Sequence, residues 1–522
     1  MSAMARKWVP VQGTLDDRPG EACGVFGAYA PGLSAAYLTF DGLFALQHRG
    51  QESAGMAVSD GDQLWIDKDM GLVSNVFNEY KLAALRGHLG IGHTRYSTTG
   101  SSTWRNAQPV YRDTGGGGFA LAHNGNLTNT AELAAEIGML PGVLTSDSDL
   151  VAELLAAAMG HVTEDEVDAG GSPFEVDQAG GGRLESALLD VLPQLAGAFS
   201  FVLCDVSHLI GVRDPHGFRP LCLGRLEEGG WVLASETPAL DVVGAHVVRE
   251  LEPGEMVVID AQGCRSVRPW PRSQIDPRLC IFEFVYFARP DSALYGKEVM
   301  SARQRMGERL AEQAPLPPDT VQPERPVMVM GVPDSGVPAA EGFARASGLP
   351  YGQGLVRNRY IGRTFIAPEQ HKRDLGVRRK LNPIRGAIAG KRVVVVDDSI
   401  VRGTTSKQIV RLLREAGAVE VHLRLISPPY RWPCFYGMDT GTRAELLAAN
   451  LAVGEIRDFL GVDSLAYLDL DNLLAAIDAP GAGFCTACLT GEYPVDIPPS
   501  LHKGVLEVPE VLEPTTAPAP GG

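Results

Sequence analysis

Two adjacent carboxylates at the end of an apolar run are the most chemically pointed feature of this 522-residue sequence. Residues 393–396 are four valines, followed by Asp397, Asp398 and Ser399, and then by Arg402, Gly403, Thr404 and Thr405. Consecutive β-branched residues predict a strand buried on both faces of a parallel sheet. Open α/β sheets bind ligands beyond the carboxyl ends of their strands, which is where Asp397 and Asp398 fall. The stretch that follows carries Ile409, Leu412, Leu413 and Ala416 at helical spacing, with Gly417 as a C-terminal cap. Loop N–H groups and the helix N-terminus therefore face an anion, most simply a phosphate, while the carboxylates take ribose hydroxyls or Mg²⁺. The Walker B strand of a P-loop nucleoside triphosphatase also ends in acid, but it requires a Gly-x-x-x-x-Gly-Lys-Ser/Thr loop elsewhere. The nearest candidates, at 386–392 and 296–298, have the wrong spacing or lack the hydroxyl.

The same logic recurs upstream. Residues 327–348 predict a strand, a Pro333-Asp334-Ser335-Gly336 turn and an amphipathic helix. A second phosphate cradle beside the first suits a pyrophosphate, with Ser335 able to reach its metal. Between the two cradles, residues 357–385 hold nine Lys and Arg against Glu369 and Asp374. So basic a stretch is either a solvated face or binds a polyanion. Its glycines, prolines and position favour a lid that closes over substrate and excludes water, with Arg357, Tyr360 and Lys380 as the residues to test first. A nucleic-acid patch is the alternative, disfavoured by the net charge of −17.

A different chemistry begins at Cys23, in GEACGVFGAY. As an internal residue it has no evident base beside it. Removal of residues 1–22 would give it a free α-amino group, whose pKa of about 8 suits a general base for its own thiol. A buried strand cysteine would be the better reading were the motif alone. However, GIGHTRYST at 90–98, AHNGNLTN at 122–129 and TSDSD at 145–149 supply the partners an amide-hydrolysing nucleophile needs.

Of the other cysteines, Cys204, Cys222 and Cys264 lie in or beside apolar, strand-like stretches and fit small buried hydrophobes. Cys280, Cys434, Cys485 and Cys488 are scattered along the second half. One C-x-x-C pair plus two singles is compatible with structural zinc, an iron–sulfur cluster or a redox pair, zinc being the commoner four-thiolate site.

Stepping from these residues to the elements that carry them, the first half is rich in short strands and closes on GEMVVID at 254–260, and RPWPRSQIDPR at 268–278 is the linker candidate. Beyond it, strands precede loops and helical patterns in α/β fashion. A chain of this length holds two or more domains. The expected divisions are a leader at 1–22, domains at 23–265 and 276–495, and a disordered tail at 500–522. The glycine run at 115–118 and the acidic, glycine-rich stretch at 161–182 are expected to be loops. The acidic balance argues against nucleic acid or anionic membrane as a partner, and the sequence has neither a membrane span nor a secretory core. Eight cysteines in so long a chain do not form a disulfide scaffold, and a cytoplasmic location is expected.

The run at 393–406 resembles the phosphoribosyl pyrophosphate (PRPP) loop of type I phosphoribosyltransferases. CGVFG at 23–27 and HRGQESAG at 48–55, with the three motifs above, resemble the N-terminal-nucleophile glutamine amidotransferases. Joined on one chain, they resemble the amidophosphoribosyltransferase family across roughly residues 23–495. The resemblance implies an αββα glutaminase domain followed by an α/β phosphoribosyltransferase domain. It implies Cys23 as nucleophile, Arg95 and Asp147 as ligands of glutamine's carboxylate and ammonium, and Asn124 and Gly125 as the oxyanion hole. Sequences flanking the four scattered cysteines match the ligands of a [4Fe–4S] cluster in the branch that carries a propeptide. The family also implies one Mg²⁺ and one cluster per subunit, a homotetramer and feedback by purine nucleotides. A sugar-phosphate amidotransferase would share the first domain but not the DDSIVRGTT loop. A PRPP-sensing regulator should bring a DNA-binding element and a basic surface, and neither is visible.

Overall fold

The computed structural model describes residues 22–96, 101–114, 118–140, 142–161, 183–316, 326–358, 380–439, 442–479, 481, 483–499, 501 and 506. Almost all of the expected leader, the acidic insertion and the tail lies outside these residues, as does Tyr360.

Thirteen strands form two antiparallel sheets among the described residues: β1 (Gly24–Tyr29), β2 (Ser53–Ser59), β3 (Leu64–Met70), β4 (Leu89–Arg95), β5 (Val110–Asp113), β6 (Gly118–Leu127), β7 (Gly197–Cys204), β8 (Leu209–Arg213), β9 (Cys222–Leu226), β10 (Trp231–Ala234), β11 (Ala245–Glu250), β12 (Met256–Asp260) and β13 (Gly263–Val267). One sheet runs β11-β9-β10-β1-β4-β2-β3 and the other β13-β12-β8-β7-β6-β5. The two-residue period of a strand sorts their side chains into layers. From β1, Val25 enters the space between the sheets with Ile91, Ala122, Val202 and Leu233, while Phe26 and Ala28 face outward with helix Ala35–Ala45. From β7, Val202 points inward, and Phe199, Phe201 and Leu203 pack outward with helices Asp147–His161 and Arg183–Val191. Four layers, helix–sheet–sheet–helix, result.

The second half is built on a parallel sheet of strands Val327–Gly331, Arg392–Asp397, Glu420–Leu425 and Ser464–Tyr467, in that order. Val394 and Val396 join one core, with helix Gly336–Ser347, and Val393 and Val395 the other, with helix Thr404–Glu415. The four valines thus bury both faces, as their run predicts. Cys204 and Cys222 are buried strand residues, whereas Cys264 sits half-buried on the edge strand β13, because an edge has no neighbour to cover it.

The linker candidate is pinned rather than loose. The Asp276, Arg278 and Cys280 N–H groups donate to the Pro215, His216 and Phe218 carbonyls at 3.2, 2.6 and 3.1 Å. Behind it lies a buried charge network. Glu236, from the loop after β10, accepts from Arg49 and from His48 Nε2 (2.7 Å), and also receives Ser292 Oγ and the Arg289 N–H (2.9 Å). Glu283, just past Cys280, takes Arg49 Nη2 at 2.5 Å and Arg219 Nη1 at 3.2 Å. The side chains of both arginines and both glutamates are fully buried. Burial acts to raise the Glu236 carboxyl, but the Arg49 charge, with His48 and the Ser292 hydroxyl, holds it well below the usual range. Breaking a buried pair by removing one partner costs roughly 3 to 5 kcal/mol, because the other charge is stranded. Glu283→Ala should therefore lower the unfolding free energy by an amount on that scale and the denaturant midpoint with it, and a midpoint within error of wild type in chemical unfolding would show that the network does not hold the two halves together.

Candidate active sites

The first site lies at one end of the sandwich, in a small, largely enclosed cleft. Cys23, immediately before β1, contributes its thiol. Arg95 ends β4, Gly125 comes from β6, and Asp147 begins helix Asp147–His161. Strand pairing brings them together, since β1 runs antiparallel to β4 with Gly24 opposite Thr94. Cys23 Sγ donates to the Tyr96 carbonyl at 3.3 Å and accepts the Tyr96 N–H at 3.4 Å. Asp147 accepts the Ser148 and Leu127 N–H groups at 2.8 and 3.2 Å, which fixes its carboxylate in the wall.

Asn124 is not a lining residue, but it shares the inward face of β6 with Ala120 and Ala122, toward the face of β1 that carries Val25. Its side chain is buried, and neither amide atom has a hydrogen-bond partner among the described residues. Buried amides are normally satisfied, so an unpartnered one marks a position kept for a ligand. Gly125 has φ +152°, and a Cβ there would lie 2.0 Å from the Ala198 carbonyl oxygen, so no other residue fits this backbone.

Burial pushes the Cys23 thiol up to about 11, partly offset by the Tyr96 N–H and the Arg95 charge. Burial likewise holds His93 down at about 3 and lowers His123. His123 is turned away from the sulfur: its ring nitrogens contact Ser148 Oγ (3.1 Å) and the Ala198 carbonyl (3.3 Å). The wall also holds Gln108, Ser146 and Ser148. His123, Ser146 and Ser148 fall inside motifs visible in the sequence. Gln108 carries no such signal, and it enters because its side chain ties the His123 N–H (2.7 Å) to Ser148 Oγ (2.9 Å).

The second site is at the carboxyl end of the parallel sheet. Asp397 is the last residue of its strand, and its Oδ1 accepts the Asp398 N–H at 2.9 Å. Asp398 accepts Ser335 Oγ at 2.5 Å and Ser399 Oγ at 2.7 Å, so the two predicted cradles are joined through a carboxylate. Gly403, at φ +80°, caps helix Thr404–Glu415, whose first two residues are Thr404 and Thr405. Arg402 is turned onto Glu445, with Nε and Nη2 at 3.0 and 2.9 Å. Arg357 meets Asp334 at 2.7 Å, and the Asn358 N–H donates to the Lys380 carbonyl at 2.9 Å. With strand Leu355–Arg357 paired to Leu381–Pro383, the two ends of the basic stretch are clamped together. Two carboxylates with a hydroxyl are oxygen donors suited to Mg²⁺, which takes one or two carboxylates and completes its shell from substrate phosphates.

The four scattered cysteines converge. Cys280 and Cys485 are opposite residues of a short parallel strand pair, Cys488 lies one turn further, and Cys434 packs against the group containing Cys485. All are free thiols. Burial raises each, Cys280 to about 12, and each of Cys280, Cys485 and Cys488 is raised further by neighbours within the group. Among the described residues, no three or more His, Cys, Asp and Glu side chains are set to hold a single metal ion. One zinc would draw its sulfurs to within about 3.8 Å of each other.

Comparison with known proteins matches a glutamine amidotransferase domain over residues 178–242 and a phosphoribosyl transferase domain over 310–426. The amidophosphoribosyltransferase of Mycobacterium tuberculosis (strain H37Rv) is 50% identical over 505 residues, spanning 94% of this chain and 90% of its own. That of Synechococcus elongatus is 49% identical, spanning 96% of each. The solved structure of a glutamine PRPP amidotransferase from B. subtilis, complexed with ADP and GMP, superposes with a TM-score of 0.80 at 41% identity, over 93% of this chain and all of that one.

The raised thiol makes a test of the first site. In the chain that retains Ala22, alkylation of Cys23 by iodoacetamide should climb about tenfold per pH unit from neutrality and level only near pH 11, because the thiolate is the nucleophile. A rate that levels below pH 9 would refute this electrostatic picture of the pocket.

Proposed function

The chain belongs to the amidophosphoribosyltransferase family, and from that premise we propose how its own residues divide the reaction between the two sites. The enzyme makes 5-phosphoribosylamine from PRPP with nitrogen from glutamine, releasing pyrophosphate and glutamate, the opening step of purine nucleotide synthesis. The carrying observation is a buried thiol and an unpartnered Asn124 amide on facing strands, in one chain with a strand-end carboxylate pair.

Residues 1–22 are a propeptide whose removal leaves Cys23 with a free α-amino group. That amine takes the thiol proton, which the pocket otherwise retains, and the sulfur attacks the glutamine carboxamide. Arg95 holds the substrate carboxylate by its fork and Asp147 the ammonium. Charge developing on the carboxamide oxygen is met by the Asn124 side-chain amide and the Gly125 N–H, each such donor worth roughly 3 to 4 kcal/mol. The amine returns its proton to the departing nitrogen, ammonia leaves, and water hydrolyses the thioester to glutamate.

Ammonia then displaces pyrophosphate from C1 of PRPP. The N–H groups around Gly403, Thr404 and Thr405 hold the phosphate end, supported by the helix N-terminus behind them. Asp397 and Asp398 orient the ribose, and with Ser335 they would hold Mg²⁺, which offsets charge on the leaving pyrophosphate. Ser399 fixes Asp398, and Arg402, Arg357, Tyr360 and Lys380 bind phosphate oxygens, Arg402 after leaving Glu445. Purine nucleotides inhibit, a reading supported by the B. subtilis relative solved with ADP and GMP. Exposed Val247 and Val248 on the edge strand β11 support self-association as a homotetramer. Free thiols at all eight cysteines support a reducing, cytoplasmic location.

Cys23→Ala should lose glutamine-dependent synthesis and keep ammonia-dependent synthesis near the wild-type rate. Failure of ammonia to support that variant would show that the two sites do not divide the work in this way.

Cys280, Cys434, Cys485 and Cys488 fit a [4Fe–4S] cluster, one per subunit: four free thiols, three buried and Cys434 half-buried, gathered from three segments. Held by these four thiolates, a cluster would tie the three segments together and would make the fold sensitive to oxygen. Protein purified without oxygen should be brown, with about four iron atoms per chain and broad visible absorption that bleaches in air. A colourless protein containing zinc would overturn the assignment.

A further inference from the structure

The strand carrying Asn124 and Gly125 is backed by a segment from the other half of the chain. The Phe435 carbonyl accepts Asn126 Nδ2 at 3.0 Å. The Tyr436 carbonyl accepts Arg219 Nε and Nη2 at 3.1 and 2.9 Å, and the Tyr436 ring stacks on Phe218 at 4.4 Å. Gly437, at φ +102°, lies so close to β6 that a Cβ on it would sit 3.1 Å from both Cα and the carbonyl carbon of Gly125 and 3.1 Å from Arg219 Nη2. The segment is itself anchored. The Tyr436 N–H donates to Cys434 Sγ at 3.4 Å, Tyr436 Oη donates to the Val495 carbonyl at 2.8 Å, and Arg219 is held from behind by Glu283 at 3.2 Å.

Backbone contact at this distance fixes where the Gly125 peptide stands. An oxyanion donor works only if it is in place before charge develops, and its hydrogen bond weakens steeply with misplacement. We propose that residues 434–437 brace the oxyanion-binding strand, with Gly437 and the Phe435 carbonyl as positioning elements for glutamine hydrolysis in the other half of the chain. The inference rests on Asn124 and Gly125 being the oxyanion-binding pair. It also places the four-thiol group in mechanical contact with the glutaminase site, since Cys434 begins the brace.

The test compares Gly437→Ala, Asn126→Ala and Asn124→Ala, assayed with glutamine and with ammonia, alongside iron content and melting temperature. Gly437→Ala should lower the glutamine-dependent kcat roughly ten- to a hundredfold, with KM for glutamine, ammonia-dependent synthesis and iron content each within about twofold of wild type. Asn126→Ala, which removes the side-chain bond to Phe435 and one to Leu127, should move kcat in the same direction by a smaller factor. It decides the matter if Gly437→Ala does not fold. If Asn124→Ala lowers glutamine turnover while the other two variants leave it unchanged, the brace is refuted and the oxyanion assignment stands. If Asn124→Ala itself has no effect, that assignment falls and the brace with it. A parallel loss of glutamine and ammonia activities would likewise overturn the proposal, because it would report general damage.

Discussion

Two arginines and two glutamates without solvent, at the junction of the halves, are the constraint from which the rest of the architecture follows. Removing four charges from water is costly, and the cost is recovered only if every charge is matched in a fixed geometry. Glu283 is shared between Arg49 and Arg219, while Glu236 takes Arg49, His48, Ser292 and the Arg289 N–H. The partners come from both halves of the chain, residues 48–49, 219 and 236 from one and 283–292 from the other, so a small rotation of one half against the other would strand a charge. The network therefore specifies a relative placement more than it adds stability. The Cys23 site is tied to that placement, because the strand bearing Gly125 and the segment bearing Cys434 meet beside Arg219.

The two sites use burial in opposite ways. Around Cys23 it keeps the thiol protonated and the two nearby histidines neutral, so in the proposed mechanism the sulfur stays inert until a base is created beside it. The amine that the proposed removal of residues 1–22 would liberate needs no space of its own, which suits a pocket already crowded by Tyr96. At the strand end, the second site keeps carboxylates buried but surrounds them with donors. Asp398 receives two hydroxyls and Asp397 a backbone N–H.

Much of this was legible in the sequence because the signals were local. Four valines before two aspartates predict a doubly buried parallel strand and a site at its end, and the strand, loop and capped helix have that form. The period-two pattern of β1 and β7 likewise gives the layers of the sandwich. The charge network was not legible. Arg49 lies in a motif and Glu283 interrupts an apolar run, but which charges meet depends on contacts across more than a hundred residues. The linker is a similar case. Prolines and arginines at 268–278 suggest a loose connection, whereas carbonyls from a distant turn at 215–218 strap it down. The convergence of four cysteines from three segments could be matched to a pattern in the sequence, but their shared burial comes only with the fold.

Adjacent carboxylates invite the assumption of equivalent roles, and the geometry separates them. Successive residues at a strand end point to different sides, so Asp397 and Asp398 do not compete for one position. Both oxygens of Asp398 are engaged by the hydroxyls of Ser335 and Ser399, and the residue is fully buried. It ties the turn at 333–336 to the loop at 399–403 and fixes the distance between the two anion cradles. A ligand that spans both cradles, phosphate at one end and pyrophosphate at the other, is thus measured against a distance set inside the protein. Under the proposed function, selection for a doubly phosphorylated ribose draws on the separation of the two loops as well as on the carboxylates that would meet the ribose and its metal.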